Sequence, residues 1–335
     1  MINFQIHGIH LINIIERAPM FSYSSMIPPL TFSVFNSKIW NCFSSFFYGS
    51  SNFHLKIRES CIKRNLKSTI FVSKYRSIFS DEIFHQDFKN TIVEIVETRF
   101  FGCESERGGA IYAEFCEIRL RNCFFESNNA DIGGAIHSMF SSRISISKTS
   151  FYNNTATYNG ALNGDISSQD QNVQITGTNM SMNQAEKWTG ALRIDRSCSS
   201  LSYCMFSSNS ANVCGCIFDF NCDPLVNDIR NSVFLNNSSI SRSGAFCCFH
   251  IKHRSRFNRV SFYYNDCQHD SSSISLQSID QIVTINDCIF SGKRENEIGM
   301  RYGKSSIEMD KCLFNVDDST INLSIQQFIS VFDEY

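Results

Sequence analysis

The chain alternates apolar and polar residues in short runs, and the runs return at a nearly constant interval. Apolar side chains stand seven and five positions before an aromatic: Ile118 and Leu120 before Phe125, Ile144 and Ile146 before Phe151, Val283 and Ile285 before Phe290. Successive side chains of a strand leave opposite faces, so this alternation predicts strands with one face buried. Ahead of each run lies a small-residue signal, as at Gly109-Ala110-Ile111, Gly134-Ala135-Ile136, Gly160-Ala161-Leu162, Gly190-Ala191-Leu192 and Gly244-Ala245-Phe246. It also reads as a strand, with small inward residues at Ala113, Ser138 and Gly164. Three positions after the aromatic of five units comes an asparagine, at Asn128, Asn154, Asn209, Asn237 and Asn265, and Asn183 follows Met180 in the same way.

The small residue advances by 25 to 30 positions per unit and the aromatic by 24 to 29. That drift excludes a heptad or a helical-pair repeat and suits a coil of short strands joined by turns of variable length. The predicted fold is all-β, a parallel β-helix solenoid of roughly nine coils with two or three strands each. Coils stack about 4.8 Å apart, so that Phe lies over Phe and Ile over Ile. The asparagine is expected in a turn, tolerating a left-handed backbone and bonding the next coil through its amide. Regular coils are expected over 91–317. Before them, 1–90 reads as an irregular N-terminal leader and cap, or degenerate coils. Within it, 70–79 reads as a strand, 81–89 as a helical turn, and Pro28-Pro29 as part of a loop. A last strand or cap over 318–335 holds Ile321, Leu323, Ile325 and Phe328. Turn length varies mainly at 167–172, 220–227 and 249–256, which places a variable loop edge along one side of the rod.

Gly-Gly-Ala-Ile, complete at 108–111 and 133–136, together with Phe-x-x-Asn, resembles the repeat of the chlamydial polymorphic outer-membrane proteins, which is also found in large surface-protein families of some protists. The likeness covers about 99–317. It implies a right-handed parallel β-helix, adhesion as a role and a cell-surface or secreted location, and it brings no catalytic residues and no cofactor.

Thirty basic and 32 acidic residues leave a net charge of −2, with no global bias toward nucleic acid or anionic membrane. The 31 phenylalanines are absorbed largely by the stacked column. Fifteen cysteines form no regular framework, and Cys123, Cys204, Cys288 and Cys312 share an inward slot with Thr149, Thr178, Ser232 and Val260. They read as small buried thiols rather than bridges. No secretory signal reads convincingly near 9–15, and no run approaches the roughly 20 apolar residues of a membrane helix. A piece of a longer surface protein is a further reading. Five glycosylation sequons occur, one of them on the ladder residue Asn237.

The sharpest chemical signal is Asp165 with Asp195, each four positions after the repeat alanine and expected to face outward on adjacent coils. His137, Asn163 and Arg193 form the column two residues earlier. Paired carboxylates divide acid and base roles in glycosidases or hold a cation; the plainer reading is a solvent-facing sheet with Arg193 screening the charges. The basic turn from His250 to Arg256 reads as a solvated loop, since no aromatics interleave it. Cys214, Cys216, Cys222, Cys247, Cys248 and His250 come near one another, but alternation sends Cys247 outward and Cys248 inward, so packing is favoured over a metal. The expected function is a non-enzymatic scaffold, monomeric, offering a side face and loop edge to a protein or glycan. The alternative is a carbohydrate-active enzyme using Asp165 and Asp195.

Overall fold

A computed structural model of the chain describes residues 2–15, 18–23, 30–49, 53–72, 91–166, 173–197, 199–220, 226–249, 254–277, 282–300 and 306–317. Nearly all regular structure is strand, stacked in parallel as a β-solenoid of about ten turns. One turn runs through Glu117–Arg121, Phe124–Glu126, Asn129–Ile132 and Ile136–Ser141. The first two strands belong to a 21-stranded long sheet, the third to a seven-stranded short sheet and the fourth to an eleven-stranded third sheet. Four strands per turn exceed the two or three expected, because backbone bends on both sides of the aromatic separate it from its neighbours.

Those bends are the local cause of the coil's shape. On one side of the aromatic strand stand Glu97, Asn122, Lys148, Gly177, Tyr203, Asn231 and Arg259; on the other stand Gly102, Ser127, Asn153, Met182, Ser208, Asn236 and Tyr264. All have positive φ, between 45° and 60°. A left-handed residue reverses the local pleat, and two per coil fold a flat strand into a closed turn. The left-handed position precedes the ladder asparagine by one. The expectation that the asparagine itself takes that conformation is thereby corrected, since its side chain points inward, where a strained backbone would misdirect it.

The amide ladder is otherwise as expected. Asn128 Nδ2 donates to Asn154 Oδ1 at 2.9 Å, Asn154 to Asn183 at 2.9 Å, Asn183 to Asn209 at 3.0 Å, and the chain continues through Asn237 to Asn265. The second proton of each amide is used on the preceding coil, as from Asn154 to the Phe125 carbonyl at 3.1 Å. Asn237 is therefore fully buried and committed. Beside the ladder the aromatic rings lie nearly parallel, with centroids 4.8 Å apart for Phe100 and Phe125, 4.9 Å for Phe125 and Phe151, and 4.6 Å for Phe290 and Phe314. Met180 takes one place in the column. Ile and Leu columns and the repeat alanines complete a single buried core along the axis.

The second glycine of the small-residue signal is required by close approach. A Cβ on Gly134 would lie 2.2 Å from the Gly160 carbonyl oxygen, and one on Gly160 2.1 Å from that of Gly190. Gly108 and Gly133 additionally have φ of 54° and 64°, a conformation glycine adopts without a Cβ penalty.

The strands of residues 2–72 enter the same sheets. Ile2–His7 pairs with Leu30–Phe35, which pairs with Phe53–Arg58, which pairs with Ile92–Val96. Ile39 and Ile62 occupy the aromatic column below Phe100. Of the strand expected over 70–79 the described part is Ile70–Val72. The helical turn over 81–89, the Pro28-Pro29 loop and the segment 318–335 lie outside the described residues. Among the described residues thirteen cysteines are free, with Cys123, Cys204 and Cys288 buried in the inward slot and Cys312 half-buried on the last described coil. Among the described residues, no helix is long and apolar enough to cross a membrane.

Candidate functional site

Asp165 and Asp195 close the third-sheet strands Leu162–Ile166 and Leu192–Asp195, and the pairing Leu162↔Leu192, Asn163↔Arg193, Asp165↔Asp195 stacks them directly. The strand below, Ile136–Ser141, joins in register as His137↔Asn163 and then shifts between Ser138 and Ser141. That irregularity gives Phe140 a φ of 50° and brings its ring under a guanidinium: Arg196 lies 4.9 Å from the Phe140 centroid.

Each carboxylate has its own arginine. Arg196 Nε donates to Asp165 Oδ1 at 2.7 Å and its Nη2 closes a second bond to Oδ2. Arg193 Nε donates to Asp195 Oδ1 at 3.2 Å, with Nη2 at 2.9 Å from Oδ2. Arg193 in turn lies 5.3 Å from the Trp188 ring centroid. Two bidentate forks, each laid over an aromatic ring, therefore clamp the pair. Burial pushes the Asp195 carboxyl above the usual range; Arg193 opposes the rise, and the charge of Asp165 adds to it.

The column two residues earlier is not the solvent-facing row expected from alternation. His137 and Asn163 are buried, at 4% and 7% exposure, because the rings and long side chains of neighbouring coils cover that face. His137 stacks on Tyr112 with centroids 5.5 Å apart and planes 8° from parallel, and Tyr112 packs on Phe71. Asn163 Nδ2 donates to His137 Nδ1 at 2.9 Å, and Asn159 Nδ2 donates to Asn163 Oδ1 at 2.8 Å. His137 therefore carries its proton on Nε2, which has no hydrogen-bond partner among the described residues. Burial, then the charges of Arg107 and Arg193, hold its pKa down at about 3. Such an imidazole is neutral at physiological pH and does not accept protons there.

Of the two arginines, only Arg193 stands in the column expected from alternation. Arg193, expected to screen the carboxylates, holds Asp195, whereas Asp165 is held by Arg196, which lies beyond the strand at φ 60°. The aromatic supports Phe140, Trp188 and Tyr112 were not read as part of the cluster. Only the phase slip in the strand, invisible to period-two counting, brings Phe140 there.

The cysteine cluster divides as alternation predicts. Cys247 packs outside the main core with Cys214 and Val213, while Cys216 and Cys248 belong to the main core. Burial pushes the Cys216 and Cys247 thiols well up, the opposite of what a thiolate ligand requires. Among the described residues no three His, Cys, Asp or Glu side chains are grouped to hold a metal. Cys222 and His250 lie outside the described residues, as do 251–253 of the basic turn; Arg256 projects exposed from the strand Arg254–Tyr263.

No family model matches the chain, and no curated protein and no solved structure is significantly similar to it.

Proposed function

We propose that the chain is a non-enzymatic β-helix scaffold, adhesin-like in role, that offers a side face and a variable loop edge to a protein or glycan partner. The observation that supports this reading best is the clamped state of the carboxylate pair. Asp165 and Asp195 each give both oxygens to a guanidinium, which leaves neither set to activate water or hold a cation. The likeness of the repeat to the polymorphic outer-membrane protein family supports a place at the cell surface or in the secreted fraction. The loop edge is drawn from sequence, since 167–172, 221–225 and 250–253 lie outside the described residues.

Asp165→Asn and Asp195→Asn test the reading. Asp165→Asn is expected to lower unfolding stability by about 0.5–1 kcal/mol, the scale of a surface ion pair. Asp195→Asn is expected to change it less, because burial already disfavours that charge, and both are expected to leave glycan-array and partner binding unchanged. The second reading, a carbohydrate-active enzyme, is favoured by the direct stacking of two carboxylates about 5 Å apart and by the raised pKa of Asp195. Reducing-end release from a polysaccharide panel, abolished by Asp195→Asn, would establish that reading and sink the scaffold.

A further inference from the structure

We infer that the concave corner near the N-terminal end of the long sheet is a binding cleft for a neutral oligosaccharide, an inference that rests on the scaffold reading and names its partner's class. The cleft is a shallow depression open to solvent, of about 620 Å³, where successive coils bend at the first left-handed position, and Lys38, Glu59, Glu97, Arg99, Asn122 and Phe124 line it. It lies on a different sheet from Asp165 and Asp195.

One observation sets this corner apart, and two features that it shares with the other coils decide what can bind there. First, four of its polar side chains are uncommitted, whereas Ser37, Ser60, Thr98 and Arg99 are bonded. Lys38, Glu59, Glu97 and Asn122 make no side-chain hydrogen bond or ion pair among the described residues. Carboxylates nearby on the same sheet are matched: Glu94 with His54 and Arg58, Glu117 with Arg119, Glu126 with Arg99. Second, Glu59 and Glu97 hold φ of 50° and 51°, a conformation that asparagine or glycine takes more readily. The same conformation at the equivalent corner of the next coils keeps these side chains on the outer face. Third, the backbone at the corner is already used between coils, as from Glu59 N to the Val96 carbonyl at 3.1 Å and Glu97 N to that of Arg121 at 2.9 Å. Recognition must therefore come from the side chains.

Their chemistry selects the ligand. Arg99 is already neutralised by Glu126, so Glu59 and Glu97 stand against Lys38; the small negative excess disfavours a polyanion, and Lys38 beside the carboxylates disfavours a metal ion. Acceptors on Glu59 and Glu97, donors on Lys38 and both on Asn122 suit hydroxyl groups, each of which donates and accepts. Arg99 lies 5.1 Å from the Phe124 centroid, and the half-buried Phe124 ring supplies an apolar wall for the C–H face of a pyranose. Coils about 4.8 Å apart stack Glu59, Glu97 and Asn122 in one row along the axis, beside the row of Lys38, Arg99 and Phe124, the direction in which a linear saccharide would lie.

The test is calorimetric titration of the full chain with neutral gluco-, manno- and N-acetylglucosamine oligosaccharides and, separately, with calcium. One saccharide series is expected to bind. Phe124→Ala and the double variant Glu59→Gln/Glu97→Gln, each shown folded by circular dichroism, should weaken it about tenfold or more, while Asp165→Asn binds as the parent does. Saccharide binding that survives both cleft variants overturns the cleft and leaves the scaffold reading standing. Absence of binding at millimolar saccharide overturns the ligand class. Calcium binding lost in Glu59→Gln/Glu97→Gln, without saccharide binding, makes the corner a cation site and overturns the inference.

Discussion

At Asn183 four side-chain hydrogen bonds meet. Its Nδ2 donates to Phe151 O and Asn209 Oδ1, both at 3.0 Å, and its Oδ1 accepts from the backbone and side chain of Asn154 at 3.0 and 2.9 Å. Removing it leaves donors and acceptors stranded on two neighbouring coils. Asn183→Ala is expected to cost about 2–4 kcal/mol, the scale of several buried groups left unpaired, read as a lower urea midpoint; an unchanged midpoint would deny the ladder a stabilising role. His137 carries the pH dependence at this scale. Its folded pKa of about 3 lies below the roughly 6.5 of an exposed imidazole. Above that upper value neither state is protonated, and between the two only the unfolded chain binds the proton. Stability is therefore full near neutrality and falls as pH drops through this window. Measured at neutrality and about two pH units lower, the parent should lose more stability than His137→Gln, which keeps an acceptor for Asn163.

At the scale of elements, the left-handed corners decide which parts of the chain can be read in advance. The aromatic, the ladder asparagine and Gly-Ala-Ile are legible because each occupies a slot that tolerates few side chains. The corners accept Glu97, Lys148, Tyr203 and Arg259 as well as asparagine and glycine, so no composition marks them. The short-sheet strands, two to four residues each, are shorter than any window of alternation. The first coils escape notice for a related reason: Ile39 and Ile62 replace phenylalanine and Cys42 stands in a ladder slot, its N–H bonded to Asn65 Oδ1 at 3.1 Å. For the site, register placed Asp165 over Asp195 correctly, whereas Arg196 and the burial of His137 depend on tertiary cover that alternation does not encode. Glu59 lies in the stretch without the repeat signal and Glu97 at a corner of the first regular coil that no composition marks, so neither stands out in the sequence. The corners also yield a stabilising change. Exposed Met182 has φ of 56°, and Met182→Asn is expected to gain about 0.5–1 kcal/mol, part of the left-handed penalty on an ordinary side chain. A loss at that position would show that the methionine contributes packing rather than strain.

On the scale of the whole molecule, contacts run almost entirely between successive coils, so the rod behaves as a one-dimensional stack. Phe125 and Phe151 are register partners, as are Glu126 and Tyr152. Deleting 126–151 therefore rejoins the chain at an equivalent point one coil lower. The shortened protein is expected to keep its β-sheet circular dichroism and a single unfolding transition at lower stability; a molten or aggregated product would mean that the coils are not interchangeable. The ladder also bears on the chemical lifetime of the protein. Deamidation of an asparagine needs the following residue's backbone nitrogen to attack the side-chain amide. In the rod the nitrogens of Thr155, Gln184, Ser210, Ser238 and Asp266 are each tied to a carbonyl of the coil before. Asn209-Ser210 and Asn237-Ser238, sequences prone to this reaction in a loose chain, are held out of reach of it. Durability toward hydrolytic ageing thus comes from the same coil-to-coil bonds that set the shape, and it lasts only while the stack stays closed.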